Sequence, residues 1–140
     1  MWIVYRIEVV EVDTLVDGHD CDLLRDEVFA DLLARIRAGE FSTAIIGTPC
    51  GTFSVARIPK SGVYDGGPRQ LRDINRPGLG RKGLSLADQR ALDLSNILVE
   101  RSVLIAVAIR AAGGSFVIEN PATRSDPRSD LYRWMWRSHA

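Results

Sequence analysis

Two short apolar runs, Thr43-Ala44-Ile45-Ile46 and Ser115-Phe116-Val117-Ile118, each follow a helical pattern that glycine terminates. This repeated helix, glycine, short-strand unit is the strongest constraint on the fold. Over 24–38, Val28, Leu32, Leu33 and Ile36 recur at helical spacing, and Gly39 supplies the stop. Ser85, with Asp88 three residues on, resembles an N-capping arrangement in which Asp stands in for Glu. The helical stretch that follows runs to Ala112, and Gly113-Gly114 ends it. The short run Thr43-Ala44-Ile45-Ile46 is consistent with a strand covered on both faces.

Residues 2–12, WIVYRIEVVEV, are β-branched and apolar and read as a further strand, followed by a turn at Asp17-Gly18. Their acidic residues and the lack of a small-residue cleavage site argue against a signal peptide. Residues 129–137 read as a last short helix carrying Trp134 and Trp136. The order strand, helix, strand, loop and helix, strand builds a parallel sheet. The class is α/β, and chemistry in such sheets collects in loops past the carboxyl ends of the strands. Cys50 lies three residues past Gly47, and Glu119-Asn120 directly follows Ile118, so both are expected at that edge.

At 140 residues the chain makes one domain, and 46% apolar with 26% charged residues is an ordinary globular balance. No apolar run reaches the roughly 18 residues of a membrane span. Cys21 and Cys50 form no C-x-x-C pair, which suits reduced thiols and an intracellular location. Cys21 beside His19 supplies two candidate ligands, too few for a metal site. Residues 48–84 read as a flexible loop, with seven glycines and four prolines. Between Arg57 and Lys82 seven Lys/Arg face only Asp65 and Asp73; a solvated surface loop is the simplest account, and a nucleic-acid contact is the other.

The stretch G-T-P-C-G-T-F-S (47–54) resembles the G-P-P-C-Q-x-F-S motif of cytosine-C5 DNA methyltransferases, and F-V-I-E-N-P (116–121) resembles their F-x-x-E-N-V motif. The resemblance spans about residues 5–125. It implies an incomplete Rossmann-like sheet of the S-adenosylmethionine-dependent methyltransferase type. It also implies transfer of a methyl group from S-adenosyl-L-methionine to cytosine C5 in DNA, with Cys50 as nucleophile and Glu119 as the acid at N3. Pro49, Phe53, Ser54 and Asn120 would then shape the base pocket, while Glu11, Asp13, Asp22 and Leu23 match the cofactor-side positions. A thiolate adding to C6 makes C5 an enamine carbon able to accept a methyl group. Burial of Glu119 would hold its proton for that task, and the base must leave the duplex to reach such a pocket. No histidine is required.

The family's glycine-rich F-x-G-x-G loop is missing, as are its later arginine motif and target-recognition domain; Thr48, Gly51 and Pro121 replace the usual proline, glutamine and valine. The chain is therefore expected to be the partial, middle portion of such a domain: a truncated product, one half of a split enzyme completed by a second chain, or a relic. Two other readings stay open. One is a catalytically silent nucleic-acid-binding or structural module. The other is an unrelated α/β thiol enzyme, for which His19 and His139 are the available bases.

Overall fold

The computed structural model describes residues 7–54, 57, 66, 68–73 and 78–119. In chain order the described elements are α1 (Thr14–Asp17), a 3-10 turn (Gly18–Cys21), α2 (Asp26–Arg37), β1 (Thr43–Gly47), α3 (Leu86–Ala111) and β2 (Ser115–Glu119). The architecture is α/β. β1 and β2 pair in parallel, from Thr43 opposite Ser115 to Gly47 opposite Glu119.

Both helix-to-strand units end in the same way. Gly39 and Gly113 adopt left-handed φ of 80° and 88°. The N–H groups of Gly39 and Glu40 donate to the carbonyls of Ile36 and Arg35; those of Gly113 and Gly114 donate to Arg110 and Ile109. This is the Schellman pattern, which satisfies helix-end carbonyls and turns the chain sharply. Gly114 has a second duty, because a Cβ there would lie 2.8 Å from the Ser42 carbonyl and 3.0 Å from Ile109 Cγ2. The Ser115 N–H donates to the same Ser42 carbonyl at 2.9 Å, so this close approach sets the strand register. At the other end of α3, Ser85 Oγ accepts from the Asp88 N–H and donates to the Asp88 carboxylate.

Leu33 and Ile36 of α2 pack with Ile105, Ala108 and Ile109 of α3, and Ala44, Ile46 and Phe116 of the sheet close this core. A second cluster joins Val99 and Val103 to Ile118 and Phe53. Only one sheet face is covered among the described residues, since Ile45 is 83% and Val117 59% exposed. The expectation of strands covered on both faces is thereby corrected. The alternating in-and-out burial of each strand is that of a half-buried sheet, which a four-residue run is too short to distinguish from a buried one.

The expected strand over 2–12 is not found where the chain is described. Residues 7–12 pair with nothing in the sheet, and Ile7 and Val9 are exposed. Strand propensity reports fitness for a pleated surface, and a partner edge must still be present. Residues 1–6 and the expected helix at 129–137 lie outside the described residues.

α3 has 26 residues, about 39 Å at 1.5 Å per residue, whereas a five-residue strand spans roughly 17 Å. Its C-terminal half lies on the sheet. Its N-terminal half projects past the carboxyl edge, where the chain leaving β1 meets it.

Candidate functional site

The parallel register puts the ends of β1 and β2 side by side. Thr48, buried one residue past β1, donates to the Glu119 carbonyl through its N–H at 3.3 Å and its hydroxyl at 3.2 Å. A proline at this position could supply neither donor. The chain then passes through half-buried Pro49 to exposed Cys50. The Cys50 carbonyl accepts from the N–H groups of Phe53 (2.9 Å) and Ser54 (2.8 Å), closing a tight turn. The segment carrying Cys50 and the end of β2 carrying Glu119 thus share one sheet edge. Both side chains face solvent; the expected burial of Glu119 is not present among the described residues, because the end of β2 points it to the uncovered face.

Phe53 and Ser54 are half-buried. Phe53 packs on the Val99–Val103 cluster of α3, against which Ile118 of β2 also packs. Asn120 lies outside the described residues.

Glu11 is exposed on the stretch before α1, and its carbonyl accepts from Cys21 Sγ at 3.9 Å, which brings it beside Asp22. Asp13 caps α1, its Oδ1 accepting from the Leu15 N–H at 2.7 Å. Asp22 is half-buried and its Oδ1 accepts from the Leu24 N–H at 2.9 Å, and Leu23 packs on the α2–α3 core. Arg101 of α3 fixes this pair in place: it donates to the carbonyls of Leu23 and Arg25, pairs with Asp26, and lies 4.7 Å from the Phe29 ring centroid. Arg101 sits between Val99 and Val103, the residues that touch Ile118, so Asp22 and Leu23 lie at the carboxyl-edge level of the sheet. His19 Nδ1 lies 2.6 Å from an Arg25 nitrogen, and among the described residues no group of three or more His, Cys, Asp or Glu could hold a metal ion.

Sequence reasoning missed Arg72. It lies in the glycine- and proline-rich stretch, yet it is only 6% exposed, beside buried Leu71. Its Nε and Nη2 donate to Thr52 Oγ1 at 3.1 and 2.8 Å. Its Nη1 donates to Asn96 Oδ1 at 2.7 Å, and Nη2 reaches Ser95 Oγ at 3.4 Å. The guanidinium carbon stands 3.3 Å from the centroid of the Phe53 ring. Burial pushes the guanidinium down to about 10, so it remains a cation at neutral pH. Asn96 also donates to the Gly78 carbonyl at 2.9 Å, while Arg72 and Gly80 form an antiparallel bridge. Arg57 joins the Gly51 carbonyl to that of Arg69. Two of the seven basic residues therefore point inward onto the Cys50 turn, while Arg69, Arg81 and Lys82 are exposed.

One signal could have found Arg72. Leu92, Ser95, Val99, Ser102 and Ala106 follow the core spacing of α3, and two of these buried positions are serines. Ser102 returns its hydroxyl to the Leu98 carbonyl. Ser95 faces the Thr52 hydroxyl at 2.8 Å and the guanidinium. A polar residue at a core position calls for a polar partner.

Comparison with protein-family models, curated proteins and solved structures returns no match for this chain. Among the described residues no helix is long and apolar enough to cross a membrane.

Proposed function

We propose that Cys50 and Glu119 form a pyrimidine-modifying site of the kind the Pro-Cys and Glu-Asn motifs resemble, a DNA (cytosine-5-)-methyltransferase site with Cys50 as nucleophile. One observation carries the reading: the in-register parallel pairing of Gly47 with Glu119, clamped by Thr48, sends both motifs from the same sheet edge.

In this reading the Cys50 thiolate forms a bond to cytosine C6 while the C5–C6 π pair shifts toward C5 and N3. Glu119, open to solvent, relays a proton between water and N3; once C5 has taken its new substituent, loss of the C5 proton to water returns the electron pair that expels the Cys50 thiolate. The turn entering the loop supplies backbone N–H groups: those of Gly51 and Thr52 find no acceptor among the described residues. Of the cofactor-side residues, Asp22 and Leu23 fit a bound S-adenosylmethionine, since Asp22 uses one carboxylate oxygen locally and keeps the other for a hydroxyl. Bound there, that cofactor would supply the methyl group. Asp13 likewise uses one oxygen locally and the Glu11 carbonyl meets Cys21 beside Asp22, so both stay candidates, and a second chain completing the cofactor site remains part of the proposal. The exposed Arg69, Arg81 and Lys82 offer contacts to DNA phosphates.

Addition at C6 lets C5 exchange its hydrogen with solvent without any methyl donor. Incubation with a cytosine-containing oligonucleotide in deuterated water should therefore label C5. Cys50→Ser should abolish labelling, and Glu119→Gln should slow it by roughly 10²–10⁴-fold, the range for a lost acid–base group. Labelling that survives Cys50→Ser would refute the assignment. The exposure of Glu119 favours a second reading, a catalytically silent module, under which the oligonucleotide binds and no label enters.

A further inference from the structure

We propose that Arg72 is the positioning residue of the Cys50 turn, holding residues 50–53 through Thr52 and Phe53; the role rests on Cys50 being the nucleophile. A buried guanidinium is a demanding choice for a loop. It carries a fixed charge and a fork of donors that must all find acceptors. Here the fork is filled from two sides. Thr52 takes two bonds on the turn, Asn96 and Ser95 take the others on α3, and the plane covers the Phe53 ring.

None of these contacts is to Cys50 itself. They fall on the two positions immediately beyond Gly51, and the Phe53 N–H is one of the two donors to the Cys50 carbonyl. A movement of Phe53 therefore moves the Cys50 backbone. Arg57 adds a second staple from the Gly51 carbonyl to the Arg69 carbonyl. Residues 69–72 and 50–53 are bound into one body, and α3 is its fixed wall. Lysine would keep the charge but could not span Thr52 and Asn96 together. The proposal therefore concerns the planar fork as well as the positive charge.

The test reads Cys50 directly. Iodoacetamide alkylation of the whole chain, followed by mass spectrometry, gives separate rates for Cys50 and Cys21, the latter half-buried away from the turn. Arg72→Lys removes the fork. Thr52→Val removes its main acceptor and keeps the side-chain shape. Both should slow Cys50 alkylation severalfold, because a loosened turn no longer holds the Cys50 backbone and the N–H groups of Gly51 and Thr52 in one arrangement. The thermal midpoint should fall in both variants, since buried hydrogen bonds are lost, but the Cys21 rate should hold. A purely structural role would accelerate both cysteines together, leaving the ratio of the two rates unchanged.

If Arg72→Lys loosens the whole fold, Thr52→Val decides the matter alone. Cys50 rates equal to or faster than the parent's in Thr52→Val overturn the proposal. The nucleophile reading fails separately: C5 labelling absent from the parent, with Cys50 alkylation still sensitive to Thr52→Val, removes that reading and leaves the hold on the turn intact.

Discussion

Gly114→Ala should be among the costliest single-methyl additions in the fold, and its cost can be worked from the helix end. The new Cβ would sit 2.8 Å from the Ser42 carbonyl oxygen and 3.0 Å from Ile109 Cγ2. The first contact is with backbone and cannot be relieved by a rotamer change. Ser42 is also tied by its carbonyl to the Ser115 N–H, so relief must shift the start of β2. Overpacking of this kind costs about 1–3 kcal/mol. Stiffening of the unfolded chain returns about 0.4–1 kcal/mol, leaving a net loss of about 1–2 kcal/mol. For a chain of this size that lowers the thermal midpoint by roughly 3–8 °C. Gly47→Ala is the control, because a Cβ there meets nothing within 4 Å. Circular dichroism melts of both variants and the parent provide the comparison. If Gly114→Ala melts with the parent, or Gly47→Ala falls as far, the close approach at Ser42 does not set the register.

Two further outcomes are expected. Ile45→Thr and Val117→Thr, on the uncovered sheet face, should each change stability by less than about 0.5 kcal/mol in urea unfolding; a loss above about 1 kcal/mol would mean that something covers this face in solution. Glu27, in the first turn of α2, is held below the usual carboxylate range by its backbone N–H and then by Arg25. Because its folded-state pKa is depressed, its contribution is present at neutral pH and lost as pH falls below about 4. The gap in melting midpoint between Glu27→Gln and the parent should accordingly narrow as pH falls below about 4, and a gap that does not narrow would count against it.

What was legible in the chain is what local chemistry decides. Gly39 and Gly113 mark helix ends because a left-handed residue must stand there, and Ser85 with Asp88 marks a start because the first turn needs an acceptor. The meeting of the Cys50 segment with the Glu119 end of β2 followed from topology: two strands that each trail a helix must run parallel if they pair. The coverage of the sheet was not legible. Whether Ile45 faces a second layer depends on elements elsewhere in the chain, and a four-residue apolar run carries no trace of them. The segment at 7–12 failed for the same reason, since Ile7 and Val9 suit a strand only where an edge accepts them. Arg72 was hidden by composition. Among so many glycines and charges it read as one more solvated cation, although Leu71 beside it is an apolar residue that such a loop does not need.

The length of α3 connects these outcomes. A helix that only covered β2 would need about eleven residues, since roughly 17 Å of strand is matched by 1.5 Å per residue. The additional turns, from Leu86 to Leu98, carry no sheet beneath them. They are amphipathic in a different sense: Leu92 is buried, while Ser95 meets Thr52 on the chain leaving β1 and Asn96 meets Arg72. An apolar residue at 95 would extend the core but remove the oxygen that faces the Thr52 hydroxyl at 2.8 Å and Nη2 of Arg72 at 3.4 Å. Losing one partner of a buried hydrogen bond typically costs about 1–3 kcal/mol. The same helix thus serves as core on one half and as a polar wall on the other, and Arg72 is the group that fits the wall to the Cys50 turn. A cysteine exposed at a strand end needs no such support to fold. In the proposed site the Cys50 backbone would have to stay fixed relative to Glu119, and the overhang of α3 is where the turn is held.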